Sequence, residues 1–376
     1  MNDMKTLNVI DLFCGVGGLS YGFANDASFN IVAANELLPD MATAYSLNHP
    51  SVKMYNHDVK LFNAAAIRND LGVGPSDIDI IVGGPPCQAY STVGKRLIDD
   101  PRGALFQEYY RILKEFQPAL FLYENVKGLM SMKGGELFDT ILGLFESLGY
   151  AVQYKLLDAA DYGVPQHRER VIIVGSLLKR EFCFPVPTHG AHGAPQDLFG
   201  MKRRPYLTLK DAISDLPFIK SGEKADYYSS EPQNDFQKKM RLDAPDKIAD
   251  HNAPQNGPNL IRIMESLPEG GSPVDLPDHL KPASGFKNTY SRLWWNKPCT
   301  TITRNLSTPS SSRCIHPKTP RPLTTREGAR IQCFPDKYVF FGSRTSKNLQ
   351  VGNAVPTLLS EALAKSILEC FRSNGF

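Results

Sequence analysis

The chain of 376 residues is 42% hydrophobic, which suffices for one large core and a smaller second one. A formal net charge of +3 neither demands nor excludes a nucleic-acid partner. The cysteines (Cys14, Cys87, Cys183, Cys299, Cys314, Cys333, Cys370) are scattered, with no CxxC pair, so neither a disulfide framework nor a metal site is expected. No signal peptide and no apolar run of about 18 residues is present, so no membrane partner and a cytoplasmic location are expected.

In chain order, Asn8-Val9-Ile10-Asp11-Leu12-Phe13 reads as a first strand, followed by the turn Cys14-Gly15-Val16-Gly17-Gly18 and a helix over 17–27. A second strand at 30–35 ends at Glu36, a helix runs from Pro39 to Asn48, and a short strand at 52–55 ends near Asp58. The β-branched run at 78–82 is a fourth strand, stopped by Gly83-Gly84-Pro85-Pro86 just before Cys87. Residues 103–117 read as a helix, 119–123 as a strand ending at Glu124, and 135–147 as a helix with one apolar stripe. Segments 151–157 and 171–175 form an antiparallel hairpin over a longer connection. After Phe184 the chain turns rich in Pro, Gly, Ser and Asn, with helices again at 324–334 and from Val355 to Arg372. This alternation predicts an α/β fold: a doubly wound, Rossmann-like mixed sheet of about seven strands with an antiparallel edge. The expected domains are 1–185 plus 345–376 for catalysis and cofactor, and a smaller irregular one over 186–344.

The chemistry-bearing residues fall at strand ends, where open α/β sheets bind ligands. Cys87 sits past two prolines with fixed φ, on a stiff turn, and is a candidate nucleophile, although a lone cysteine is more often a small buried hydrophobe. The turn Gly15–Gly18 lets backbone approach a nucleoside cofactor, and Glu36, about 20 residues on, suits its ribose hydroxyls. Asp58 suits an adenine amino group. Glu124 opens toward the crevice of Cys87, or caps a helix or joins a salt bridge. Arg168 and Arg170 share a face of an extended segment, or belong to a solvated charge cluster. Charge is uneven: 205–280 carries eight Lys/Arg against thirteen Asp/Glu, whereas 281–344 carries twelve against Glu327 and Asp336 alone. With Tyr290, Trp294 and Trp295 among many hydroxyls and amides, the basic stretch has the composition of a nucleic-acid contact, and the acidic one is expected to face away.

These residues lie in six motifs: Asp11-Leu12-Phe13-Cys14-Gly15-Val16-Gly17-Gly18; Pro86-Cys87-Gln88; Glu124-Asn125-Val126; Gln166-His167-Arg168-Glu169-Arg170; Arg321-Pro322-Leu323-Thr324 with Arg326-Glu327 and Phe334-Pro335-Asp336; and Gly352-Asn353-Ala354-Val355-Pro356. In this order, over residues 7–175 and 322–357, the chain resembles the DNA cytosine-5 methyltransferases of bacterial or phage restriction–modification type.

The resemblance implies a methyltransferase fold dependent on S-adenosylmethionine and a catalytic set of Cys87, Glu124, Arg168 and Arg170. It assigns Phe13, Gly15, Gly17 and Gly18 to the cofactor's methionine and adenine side, Glu36 to its ribose, Asp58 and Val59 to its adenine, and Pro86 and Leu105 to the rings. Asn353 and Ala354 complete that pocket, and Leu37 stands where a larger aromatic would stack better. Ser91, Lys95 and Arg102 are the implied phosphate contacts. Target recognition is expected within 186–320, at Thr300, Thr301, Thr303, Arg304 and Asn305. The implied partner is double-stranded DNA, met by a monomer at the nucleoid, with a cognate restriction endonuclease acting separately. Transfer RNA as the substrate, or an inactive DNA-binding relative, are the competing readings.

Overall fold

The computed structural model describes residues 5–86, 105–191, 193, 202–282 and 288–376. Cys87, Ser91, Lys95 and Arg102 lie outside the described residues. The chain divides into two compact units: Met1–Asp158 with Glu169–Val186 and Leu359–Phe376, and Ala159–Arg168 with Pro187–Leu358.

The first unit is built on apolar strands whose residues are buried on both faces. In β1 (Leu7–Leu12), Val9, Ile10 and Leu12 are fully buried, as are Ile80, Ile81 and Val82 in β4 (Ile80–Gly83). Covered on both sides, such strands read as continuous apolar runs. With β2 (Phe29–Asn35), β3 (Lys53–Tyr55), β5 (Leu120–Val126), β6 (Ala151–Asp158) and β7 (Glu169–Ser176) they form a seven-stranded sheet ordered β3-β2-β1-β4-β5-β7-β6. All neighbours are parallel except β7, which runs antiparallel to both β5 and β6. Strand order reverses between β1 and β4, so the turns leaving these two strands flank the switch point at which such sheets bind ligands.

Helices α1 (Gly18–Ala24), α2 (Pro39–Asn48), α3 (Ala64–Leu71), α4 (Leu105–Phe116) and α5 (Glu136–Glu146) connect these strands. Tyr109 of α4 is fully buried among Phe121, Tyr123 and Phe145, and its hydroxyl donates to Leu122 O at 2.9 Å. The C-terminal helix (Thr357–Ser373) packs on α1: Ser360 Oγ donates to Leu19 O and accepts from Gly22 N at 3.1 Å, and a Cβ on Gly22 would strike Ser360. Several elements were not anticipated, among them α3 and, in the second unit, α10 and the short helices Leu209–Ile213, Asp235–Met240 and Pro258–Ser266. α3 has an Ala-rich stripe too weak to register as amphipathic; its ends are set by the Asn63 cap and by Gly72 at φ 66°. α10, in the second unit, is a polar helix over Arg344–Asn353 that starts at the Ser343 cap.

The second unit has α6 (Leu209–Ile213), α7 (Asp235–Met240), α8 (Pro258–Ser266), α9 (Thr325–Ile331) and α10, with strands of only two or three residues. Buried charge organises it. Arg330 is fully buried between Asp336 (Nε–Oδ1 2.6 Å) and Asp215 (Nη1–Oδ1 3.1 Å). Arg321 binds Glu327 at 2.7 and 2.8 Å, while Glu327 also closes the capping box of α9 with Thr324. Burial alone would raise the Glu327 carboxyl, but the Arg321 guanidinium holds it well below the usual carboxylate range. Arg292 is buried too, donating to Leu267 O, Met264 O and His316 O. Four of the twelve positive charges of 281–344, on Arg292, Arg321, Arg326 and Arg330, are therefore internal and unavailable to phosphate. Among the described residues no helix is long and apolar enough to cross a membrane.

Removing Arg330 takes the nearest cation from two buried carboxylates, leaving Asp336 to Tyr228 and a longer contact with Arg326 (3.5 Å), and Asp215 to Arg241 at 3.6 Å. Arg330→Met should lower stability by about 3–5 kcal/mol, read as a fall in the urea or thermal midpoint; an unchanged midpoint would contradict the role of this network.

Candidate active site

At the switch point β1 gives way to a tight turn. Phe13 takes φ 55°, a left-handed conformation rare for a bulky residue, while its side chain packs against the main core. Gly15 follows at φ 57° and Gly17 at φ 92°. Among the described residues nothing lies within 4 Å of the place a Gly15 Cβ would take, so none of them closes the turn there. Gly17 N donates to Cys14 O at 2.9 Å, closing it.

Glu36, immediately past β2, holds this turn. Its Oε2 accepts from Gly15 N at 2.9 Å and its Oε1 from Leu38 N at 2.8 Å. Burial raises its carboxyl, opposed by these backbone bonds. A carboxylate has about four acceptor sites, so room remains for ligand hydroxyls. The neighbouring strand end is tied in by Asn35 Nδ2, which donates to Tyr55 O (2.8 Å) and His57 O (3.0 Å), and by Asn56 Nδ2, which donates to Glu36 O (2.8 Å). Asp58 Oδ1 accepts from Lys60 N at 3.0 Å and so caps the turn Val59–Leu61, where Val59 is buried. Leu37 is 60% exposed; Pro86 is exposed, and Leu105 is half-buried at the start of α4.

One acid under this turn was not singled out by sequence reasoning. Asp11, in β1, is fully buried; its Oδ2 accepts from Ser20 Oγ at 2.5 Å, and Oδ1 has no partner among the described residues. Burial pushes its carboxyl up to about 7, with the Ser20 bond opposing and the Glu36 charge adding. The available signal was a carboxylate inside an otherwise apolar strand.

The turn leaving β4 meets β5. Asn125 Nδ2 donates to Pro85 O at 3.0 Å, anchoring the segment that leads to Cys87. Glu124 Oε1 pairs with Arg170 Nε at 2.8 Å, both side chains being mostly buried. A Cβ on Gly84 would come within 2.7 Å of Glu124 Oε2, so only glycine admits the carboxylate in this position.

The two motif arginines part company. Arg168, in the second unit, is buried and donates to Ile302 O (2.8 Å), Gly352 O (3.0 Å) and Ala354 O (3.0 Å). Gln166 beside it accepts from Ile302 N at 3.0 Å and donates to Ile331 O at 3.0 Å. Asn353 ends α10, and Ala354 is its C-cap. Of the expected recognition residues, Thr301 Oγ1 donates to His167 O at 2.8 Å and Thr303 Oγ1 accepts from Asn305 N at 3.2 Å. Thr300 and Asn305 are half-buried, and Arg304 is exposed. The backbone at Thr303 and Arg304 lies so close to Gly352 that a Cβ there would collide with it.

A family model for the C-5 cytosine-specific DNA methylases matches residues 7–369. The Type II methyltransferase M.AgeI of Thalassovita gelatinovora is 35% identical, over 97% of this chain and 99% of its own length. M.DdeI of Desulfomicrobium norvegicum is 36% identical, over 96% and 88%. A solved structure described as a prophage-encoded DNA modification methyltransferase of E. coli aligns with a TM-score of 0.76 at 28% identity, covering 97% of this chain and 99% of that one. DNMT2 of Spodoptera frugiperda aligns with a TM-score of 0.58 at 16% identity over 96% and 99%, a likeness of fold. By the match along nearly its whole length, the chain belongs to the C-5 cytosine-specific DNA methylase family and is a DNA cytosine-5 methyltransferase.

Proposed function

We propose that this enzyme methylates C5 of one cytosine in a specific duplex DNA sequence, with S-adenosylmethionine as methyl donor and Cys87 as a transient covalent nucleophile. The observation that carries this reading is the Glu124–Arg170 pair, packed on Gly84 three residues before Cys87.

The residues at the switch point fit the donor. Gly15 presents an open backbone face, and Glu36 keeps acceptor sites for ribose hydroxyls. Leu37 offers exposed apolar surface to a purine, with Asp58 and the backbone of Val59 for its amino edge. When bound, S-adenosylmethionine supplies an electrophilic methyl group on a cationic sulfur.

Cytosine C5 is too weak a nucleophile to accept that methyl unaided. Attack of the Cys87 thiolate on C6 breaks the C5–C6 double bond and makes C5 enamine-like. Glu124 holds the N3 and N4 edge and stabilises N3 protonation as sulfur adds, and Arg170 binds O2. After methylation, loss of the C5 proton restores the double bond and expels the thiolate. Arg168 serves as a positioning residue, because its guanidinium is spent on backbone carbonyls. The base must leave the duplex to react, at a cost of a few kcal/mol. Duplex contact then falls to Ser91, Lys95 and Arg102 and, in the second unit, to exposed Arg304 with Thr300, Thr301, Thr303 and Asn305. Buried Arg292, Arg321, Arg326 and Arg330 take no part in it. We assign the enzyme to the cytoplasm as a monomer, beside an endonuclease of the same specificity that acts separately.

Bisulfite sequencing of DNA from a methylation-free host expressing the protein should show methylated cytosine at one recurring sequence, and Cys87→Ala should abolish it. Marks that persist in Cys87→Ala would overturn the nucleophile, and methyl transfer to tRNA alone would overturn the DNA substrate. Gly84→Ala should displace Glu124 and lower kcat about 100-fold with little change in melting temperature. An unchanged kcat would contradict the role given to Glu124.

A further inference from the structure

Two acids lie beneath the turn that follows β1, and among the described residues neither has a cation for a partner. Asp11 is 1% exposed, with one oxygen on the neutral Ser20 hydroxyl and the other on no described residue. Glu36 is 8% exposed, with its oxygens on the Gly15 and Leu38 N–H groups. Uncompensated buried carboxylates are costly, so they take up a proton or wait for a positive partner. The groups facing Asp11 are Ser20 on α1, Tyr45 hydrogen-bonded to that serine from α2, Glu36 past β2, Cys14 in the turn and Tyr109 on α4. Each is neutral or acidic. Among the described residues no positive charge faces it.

A ligand can supply it. On the reading given under Proposed function, the methyl donor carries a positive sulfur, and the demethylated product carries a neutral one. We infer that Asp11 is a charge sensor for the methyl donor: buried, held by the Ser20 hydroxyl alone and with Oδ1 unpartnered among the described residues, it takes up a proton in free enzyme, releases it to solvent when the sulfonium binds, and so favours donor over product. Full burial is the cause that raises the free carboxyl to about 7. A cation nearby favours the ionised form and lowers that value. Donor binding therefore tightens as pH rises through the free-enzyme value, by at most about tenfold per unit. The amino and carboxyl groups common to donor and product cancel in the ratio of their affinities. Asp11 acts through charge alone and is a positioning residue.

The test is calorimetric titration of the full chain with S-adenosylmethionine and with S-adenosylhomocysteine from about pH 6 to about pH 8, in buffers of different ionisation enthalpy. The donor should release more protons than the product, and its affinity advantage should grow several-fold across that range. In Asp11→Asn the advantage should become independent of pH. Ser20→Ala keeps the carboxyl but removes a bond that favours its ionised form, so the profile should move to higher pH; this variant serves where Asp11→Asn does not fold. A flat ratio in the wild type, or a profile unaltered in both variants, overturns the inference. If the wild type binds neither ligand, the cofactor reading itself fails and takes the inference with it.

Discussion

The antiparallel pairing of β7 with β5 is the constraint on which the Glu124–Arg170 pair depends. Glu124 stands opposite Ile172 and Val126 opposite Arg170, so Glu124 and Arg170 are diagonal neighbours on one face of the sheet. At that spacing, about 7–8 Å, only long side chains meet, and these close to 2.8 Å. A parallel β7 would require a long crossover and would present its arginine at the opposite end of the strand. Between β6 and β7 the chain instead leaves the first unit, contributes Ala159–Arg168 to the second and returns at Glu169. This excursion explains why arginines two residues apart differ in fate: Arg168 is an internal brace for backbone carbonyls, and Arg170 faces a carboxylate of the sheet.

The second unit solves a different problem. Its helices are short and its apolar clusters small, such as the one formed by Met264, Leu267, Leu276 and Ile315. Guanidinium groups take over much of the work, each satisfying several carbonyls or carboxylates that would otherwise be buried and unpaired. Such pairs add little net stability over well-packed apolar residues, yet breaking one is expensive. That asymmetry suits a region that must hold an irregular backbone in one arrangement. The backbone at Thr303 and Arg304, fixed against Gly352, is the clearest instance.

Much of the first unit was legible in the sequence because its strands are buried on both faces and so appear as β-branched runs. Glu36 and Glu124 could be found for the same reason, as acids interrupting apolar runs near strand ends. α3 and α10 escaped because neither has a strong apolar stripe. The buried arginines escaped because their burial is tertiary: Arg321 and Arg330 have carboxylates six residues away, but what encloses them is remote, as where Arg330 meets Asp215 across more than a hundred residues, so a run of positive charge looked like a surface. Asp11 was read only as a member of its motif, since the loss of its water and the idle oxygen become visible only once α1 and α2 close over it.

Electrostatic design thus differs across the molecule. Carboxylates of the second unit are matched by arginines, while those beside the turn after β1 have no cation among the described residues, which is what the proposed binding of a positively charged donor there would require. Opposite that site, the turn to Cys87 is anchored by Asn125 and abutted by Glu124. The most direct measurement of the central claim, attack by Cys87 on the target base, uses duplex DNA in which cytosine is replaced by 5-fluorocytosine. Fluorine at C5 cannot leave as a proton, so the thioether cannot be expelled after methylation. With S-adenosylmethionine present, a denaturation-resistant adduct should form and peptide mass mapping should place it on Cys87; no adduct, or one on another cysteine, would contradict the account.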